Sequence, residues 1–355
     1  MKKKESKSTP SAILLGIVAA LLILAVAGLI WKVSFSERPS FPRVRSVRET
    51  GVSLGEFPLR VYALAPDGQA MYDASLRLRD WDTGNVLSNP LEDMPTALNI
   101  SMVLSPDGQY MAGWTEIWRR PTNEVEDRRS IVDMDNRSVW EYIDEERDMG
   151  FGSWSPDSSR IMLMDEVTLL TYPEVTILTG WPHDVDFRDV SNVAGDHNYL
   201  WDVERNIPIA RTYIQEEQNE QGELITRQFG IQSLHDPNAS GDPLFVPYYD
   251  LGTASVAVEA TFDPTGRYVL AAVLEFSEPL AIGDHFFENP IDTALVLIDW
   301  RTGEHVEFFR LSSLDQQNAI VSHRGLDALQ WSADGSTIVV PREDAPALLL
   351  EVEYP

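Results

Sequence analysis

The chain contains no cysteine. That single absence excludes disulfides, thiolate zinc sites, iron–sulfur clusters and cysteine nucleophiles. Lysine is nearly missing too: Lys2, Lys3, Lys4, Lys7 and Lys32 are the whole set. Residues 34–355 therefore set 23 arginines against 55 acids, a balance of −32, while residues 1–33 balance at +4. A domain this acidic repels nucleic acid and anionic lipid, so neither is expected as its partner. The plain reading of the charge is a solvated surface. Beyond residue 33 no stretch sustains helical periodicity. The six histidines, His183, His197, His235, His285, His305 and His323, form no closely spaced ligand pair. No phosphate loop and no dinucleotide-binding glycine fingerprint occurs.

What is present begins with a basic tail, residues 1–11, followed by an uncharged apolar run over residues 12–31. Twenty residues of helix rise about 30 Å, the thickness of a bilayer's hydrocarbon core. The flanking lysines place that end in the cytoplasm and the C-terminal mass outside. Trp31 and Lys32 suit the far interface. The expectation is a retained signal anchor over 12–32. The rival is a secreted chain, cleaved after Ala25-Val26-Ala27; the apolar continuation through Leu29-Ile30-Trp31 favours the anchor. Residues 33–43, with Pro39 and Pro42, read as a linker.

The remainder, 44–355, is organised by one recurring turn. It stands as Leu64-Ala65-Pro66-Asp67-Gly68-Gln69, Leu104-Ser105-Pro106-Asp107-Gly108-Gln109, Trp154-Ser155-Pro156-Asp157-Ser158-Ser159, Phe262-Asp263-Pro264-Thr265-Gly266-Arg267 and Trp331-Ser332-Ala333-Asp334-Gly335-Ser336. A degraded sixth copy is read at residues 193–198. Each copy lies between apolar or alternating runs. Proline presets φ, aspartate bonds its own backbone, and glycine takes a positive φ, so the chemistry suits a strand-to-strand turn. A second turn, Asp80-Trp81-Asp82-Thr83-Gly84 and Asp299-Trp300-Arg301-Thr302-Gly303, closes a later hairpin of the same block. Residues 215–243 and 277–291 read as loop insertions.

Four-stranded units of about 40–45 residues repeated in a ring describe a β-propeller. The Ser-Pro-Asp-Gly turn at 105–108, its partial copy at 155–157 and Trp-Asp-Thr-Gly at 81–84 resemble the WD40-like repeats of the TolB-type propeller family. The expected fold is all-β, with six four-stranded blades; division by repeat length allows seven. After the last turn only two strands remain, so the segment around Val44–Val47 is expected to supply the outer strand of the last blade.

No catalytic set emerges, and no catalytic, cofactor or metal residue is assigned. His183-Asp184-Val185-Asp186 is the densest metal-like cluster, but it reads as a polar inter-blade loop. Asp133-Met134-Asp135-Asn136 starts like a calcium loop, lacks the later glycine and glutamate, and reads as a hairpin. Gly51-Val52-Ser53-Leu54-Gly55 matches a nucleophile-elbow string without the strand and helix that string requires. Asn99, Asn136 and Asn238 open glycosylation strings. Trp114, Trp118, Trp154, Trp181 and Trp331 are expected in blade cores. Phe245, Tyr248, Tyr249, Phe286 and Phe287 fall in or beside the insertions, where recognition surfaces often sit; packing on their own blade is the plainer reading. The functional expectation is a membrane-anchored, extracytoplasmic binding module for a protein, peptide or glycan. The alternative is a propeller enzyme with a metal- or acid-based site in the channel.

Overall fold

Ser105 shows how the recurrent turn is held. Its hydroxyl donates to Asp107 Oδ1 (2.6 Å) and accepts from the Tyr110 N–H (2.9 Å), while Gln109 N–H donates to the same aspartate oxygen (3.0 Å). Ser155 with Asp157, and Ser332 with Asp334, repeat the arrangement atom for atom. In Asp263-Pro264-Thr265-Gly266 the acid and the hydroxyl exchange places. Asp263 now accepts from the Tyr268 N–H (2.7 Å), and Thr265 donates to Asp263. In every copy the N–H of the residue at the glycine position bonds back to the residue before proline or alanine, as Gly108 does to Ser105 O (2.8 Å). Gly108 has φ +75°, and a Cβ there would lie 2.5 Å from Pro66 of the preceding turn. Glycine is thus required both by conformation and by the close approach of a neighbour.

These turns sit in a computed structural model that describes residues 41–53, 61–66, 68, 70–73, 77–89, 98–119, 124–142, 151–163, 168–179, 186–196, 198–234, 242–280, 290–314, 329–342 and 345–355. The apolar segment 12–32 lies outside them. Among the described residues no helix is long and apolar enough to cross a membrane. One compact body spans Arg43–Glu353.

That body is six antiparallel sheets, the six blades of a propeller. Strand β1 (Arg43–Ser53) stands apart in the order. Blade 1 is β2 (Val61–Leu64), β3 (Ala70–Asp73), β4 (Leu78–Asp80) and β5 (Val86–Ser88). Blade 2 is β6 (Leu98–Leu104), β7 (Tyr110–Arg119), β8 (Glu124–Asp133) and β9 (Ser138–Tyr142). Blade 3 is β10 (Phe151–Trp154), β11 (Arg160–Leu163), β12 (Thr168–Thr171) and β13 (Thr176–Thr179). Blade 4 has five strands: β14 (Val193–Asp196), β15 (Tyr199–Asp202), β16 (Ile207–Gln218), β17 (Leu224–Ser233) and β18 (Phe245–Asp250). Blade 5 is β19 (Ser255–Phe262), β20 (Tyr268–Glu275), β21 (Asp292–Asp299) and β22 (Glu304–Arg310). Blade 6 takes β23 (Gln330–Trp331), β24 (Thr337–Arg342) and β25 (Ala345–Glu353) from the end of the chain and β1 from its beginning.

The expected closure is therefore present. β1 pairs antiparallel with β25, from Arg43↔Glu353 to Ser53↔Pro346. Ser53 of the nucleophile-elbow string sits in this closing strand. Arg342 reaches past β25: it donates to Pro346 O and to Glu49 of β1, both at 2.7 Å.

The core is divided among the blade interfaces. Leu64, Met71 and Trp81 of blade 1 pack with Val339, Ala347 and Leu349 of blade 6. Ala112 and Ile131 of blade 2 meet Phe151, Trp154 and Ile161 of blade 3. The largest cluster joins blades 3, 4 and 5, with Leu169, Trp201, Phe229, Phe262 and Trp300. Polar pins cross the same interfaces: Trp154 Nε1 to Val103 O (3.0 Å), Trp201 Nε1 to Ser153 Oγ (2.9 Å) and Leu64 N to Gln330 Oε1 (2.9 Å).

Blade 4 departs from the sequence reading twice. In blades 1, 2 and 5 an Asp-capped hairpin joins the third strand to the fourth, as where Asp299 Oδ1 accepts from the Arg301 and Thr302 N–H groups. In blade 4 the matching hairpin, capped by Asp202, joins the second strand to the third. Val193–Asp196 thus form strand β14, where a copy of the recurrent turn was expected. Six remains the blade number, but this copy does not count toward it. The second departure is the insertion at 215–243, read as loop. It is largely a long ribbon of β16 and β17, paired from Ala210↔Ser233 to Gln218↔Leu224, with β18 added outside. Its polar residues read as a loop because a two-stranded ribbon exposed on both sides carries no apolar face to mark it as strand.

Two predictions follow from this architecture. Deleting residues 347–355 removes the partner of β1 and opens the ring, so the cooperative unfolding transition and the near-ultraviolet circular dichroism signal of the whole body are lost; an unchanged melting curve contradicts the closure. Val175 adopts φ +51° at the exposed hairpin between β12 and β13, where a β-branched residue is strained. Val175→Gly raises stability by about 1 kcal/mol in urea titration.

Candidate functional site

All six blades contribute to one end of the central channel. The turn prolines Pro66, Pro106, Pro156 and Pro264 line a cavity there of about 200 Å³, with Ala333 in the matching place of blade 6. Leu64, Leu104, Phe262 and Trp331 form the wall behind them. Blade 4, which lacks the turn, contributes Gly195, whose backbone lies hard against Phe262 and Asp263.

The polar side chains at this mouth are Ser105, Thr261 and Gln330. Ser105 is engaged with Asp107 and Tyr110, and Gln330 with Leu64 N–H. None of the described residues lining the cavity is ionisable. Among the described residues the mouth therefore offers shape and apolar surface, with no carboxylate, imidazole or amine on its wall.

Carboxylates instead surround the mouth as turn caps. Burial raises the Asp157 carboxyl, but hydrogen bonds from Ser155, Ser159 and Asn206 outweigh it and hold the group below the ordinary 3.8. Asp334 is held low in the same way by Ser332 and Ser336 against burial. Asp80 is lowered chiefly by the Thr83 hydroxyl. These acids stay ionised because their own turns donate to them.

The residues singled out in the sequence fall as follows. Asp133 is the cap of a hairpin, accepting from the Asp135 and Asn136 N–H groups, as read. Of the His183–Asp186 cluster only Asp186 is among the described residues, and Arg188 holds its carboxylate at 2.9 and 2.7 Å. His197, His235, His285 and His323 also lie outside them, as do Trp181, Asn238, Phe286 and Phe287. Trp154 is buried as expected. Trp331 is half-buried and lines the mouth. Phe245, Tyr248 and Tyr249 belong to strand β18, not to a loop. Phe245 meets Tyr213 edge-on, and Tyr249 meets His305. Burial pushes the Tyr248 hydroxyl up to about 12, so it remains a neutral phenol.

The densest described group of acids is remote from the turns, at the other end of β20 and β21. Arg310 is bonded there to Glu275, Asp292 and Glu307 at 2.7–3.1 Å. The guanidinium already occupies the place between these carboxylates. Among the described residues no group of three or more acids and histidines is arranged to hold a metal ion.

No family model matches the chain, and no curated protein matches it. Among solved structures it is similar to an oligogalacturonate lyase in complex with manganese, at 12% identity over 83% of this chain and 77% of that one, with a TM-score of 0.37. It is similar to a chain of a mitotic checkpoint complex, at 11% identity over 100% and 97%, TM-score 0.40. It is also similar to a protein described as a TolB from Agrobacterium tumefaciens, at 14% identity over 81% and 88%, TM-score 0.39.

The low carboxyl values fix a pH dependence. The unfolded chain binds protons near 3.8 while folded Asp157, Asp334 and Asp80 bind them only at lower pH, so their stabilisation is complete above the unfolded value and is lost as pH falls through the folded one. Unfolding titrations from pH 5 down to about 2 show falling stability, and the double variant Asp157→Asn with Asp334→Asn flattens that fall while being less stable at pH 7.

Proposed function

We propose that the protein is a membrane-anchored, extracytoplasmic propeller of TolB-like type that acts as a binding module. The observation that carries this reading is the wall of the channel mouth. Turns from five blades bring proline, leucine, phenylalanine and tryptophan together, and no ionisable side chain joins them among the described residues. A concave apolar surface on a rigid ring recognises a protruding apolar group of another molecule. The apolar run at 12–31 and the lysines before it support a tether with its N-terminus in the cytoplasm. In that topology the acidic domain is held beside a membrane whose anionic lipids repel it, which leaves its loops and channel free for a polypeptide or glycan partner.

The test places a photo-crosslinking amino acid at position 106 or 333 of the full-length protein in its native membrane. Both positions yield a discrete crosslinked partner, and the same probe at exposed Val86, on the outer strand of blade 1, does not. Equal labelling at all three, or none at the mouth, contradicts the reading.

A further inference from the structure

The irregularity of blade 4 creates a second opening. Strand β15 flanks β16 only as far as Tyr199↔Arg211. The next residue, Thr212, donates its N–H inward to Asn198 O (2.9 Å), and from there to Gln218 the only strand partner of β16 among the described residues is β17, on the outer side. Opposed residues of an antiparallel pair alternate between bonded and non-bonded. Since Thr212 points inward, so do the N–H and C=O groups of Ile214 and Glu216.

That edge faces a space. A cavity of about 510 Å³ is lined by Arg211, Thr212, Tyr213 and Ile214, four consecutive residues of β16. Consecutive residues line a cavity when it runs along a strand's edge rather than over its face. The opposite wall is again consecutive, residues 257–261 on the inner edge of β19. The opening is therefore a slot between two strand edges, and its volume suits a short ligand. Its apolar walls include Ile214, Phe229, Ala257 and Val258. Where β16 leaves the slot, the ribbon continues past exposed Glu217, Glu220 and Glu223. Glu216 is already committed to the buried Arg227.

We propose that this slot binds an extended peptide segment by strand addition, antiparallel to β16. The segment carries small apolar residues within the slot and lysine or arginine at its N-terminal end. The backbone groups of Ile214 and Glu216, which have no strand partner on that side among the described residues, supply register, the walls take alternate side chains, and the acids toward the ribbon tip take the cations. Antiparallel pairing fixes the polarity, because the peptide's N-terminus then lies toward the tip. This deepens the binding-module reading and rests on it; the slot and the proline mouth share Thr261, but the strand edge that takes the peptide, on β16, is not part of the mouth.

The test uses the full-length protein in detergent micelles and the probe acetyl-Lys-Lys-Val-Ala-Val-Ala with a C-terminal fluorophore. Saturable one-to-one binding is expected. It weakens at least about tenfold when the lysines are replaced by glutamates or moved to the C-terminal end. It weakens as much when two successive peptide nitrogens are methylated, since one of the pair faces β16 in either register. Ile214→Pro removes an inward N–H that β17 does not use and abolishes binding, while the methylated probe gives the same answer without altering the protein. In the free protein the Ile214 and Glu216 amides exchange rapidly with deuterium, and the probe protects them. Slow exchange in the free protein shows that the chain covers its own edge, and overturns the proposal. Equal binding of the methylated probe, or no saturation by about 1 mM, does the same. Crosslinking at positions 106 and 333 is scored separately, so a failed slot with a labelled mouth removes this inference alone.

Discussion

The pairing of β1 with β25 is the contact on which the other interfaces depend. Each blade buries its faces only against its neighbours, so a ring missing one contact exposes two apolar faces at once. Here the contact joins residues about 300 positions apart, and no disulfide assists it. An open edge in β25 would also invite pairing with another chain. The closure is reinforced where it is least exposed. Arg342 is almost wholly buried, yet its charge is matched by Glu49, which keeps access to water. One half-solvated partner lowers the cost of burying the other, so the pair holds the outer strand across β25 without stranding a charge. The ion pairs Arg43–Glu353 and Arg48–Asp82 lie on the surface and add little by comparison.

The turns bring the second constraint, and it runs around the ring. Gly68 approaches Ser332 and Thr337 of blade 6, Gly108 approaches Pro66 of blade 1, and Gly266 lies against the backbone of Ala194 in blade 4. At the matching place in blade 3 stands Ser158, also with positive φ, whose hydroxyl accepts the Asp107 N–H of blade 2. A serine there exchanges conformational ease for a bond to the neighbour. One position therefore serves two purposes: it reverses the chain, and it sets the distance between successive blades. The same geometry points the prolines at the channel.

This explains what the sequence could and could not disclose. The turns were legible because their grammar is local. A hydroxyl, an acid and a glycine within six residues determine one another's bonds, so Ser105 to Tyr110 reads the same in isolation as in the ring. The closure was legible too, from the two strands read after the last turn and the strand read around Val44–Val47, which pairs with β25. The order of blade 4 was not. Its cap at Asp202 is as local as that at Asp299, but whether such a hairpin joins the second and third strands or the third and fourth depends on which strand lies innermost, and that is decided by packing. The ribbon of β16 and β17 was masked by its own composition: Gln215 to Glu223 is polar because both faces meet water, and a polar run lacks the alternation that marks a half-buried strand. The proline mouth was visible only piecemeal. Each proline was read as fixing a dihedral angle, while their convergence is a property of the closed circle.

The acids then take on a different sense from the one their number suggests. Asp80, Asp133, Asp157 and Asp334 each accept two or more bonds from their own turns, and all are held below the usual carboxylate range. A group stabilised in its charged form remains charged as the surroundings acidify. These four charges are thus written into the turns that build the blades, and they are not shed in mild acid without loosening those turns. The negative field around the channel is a consequence of how the ring is made. Any partner that approaches the mouth meets that field first and the apolar wall second, which favours a cationic flank followed by an apolar tip. Steering by the one and burial by the other act in sequence, the first on the rate of encounter and the second on the lifetime of the complex.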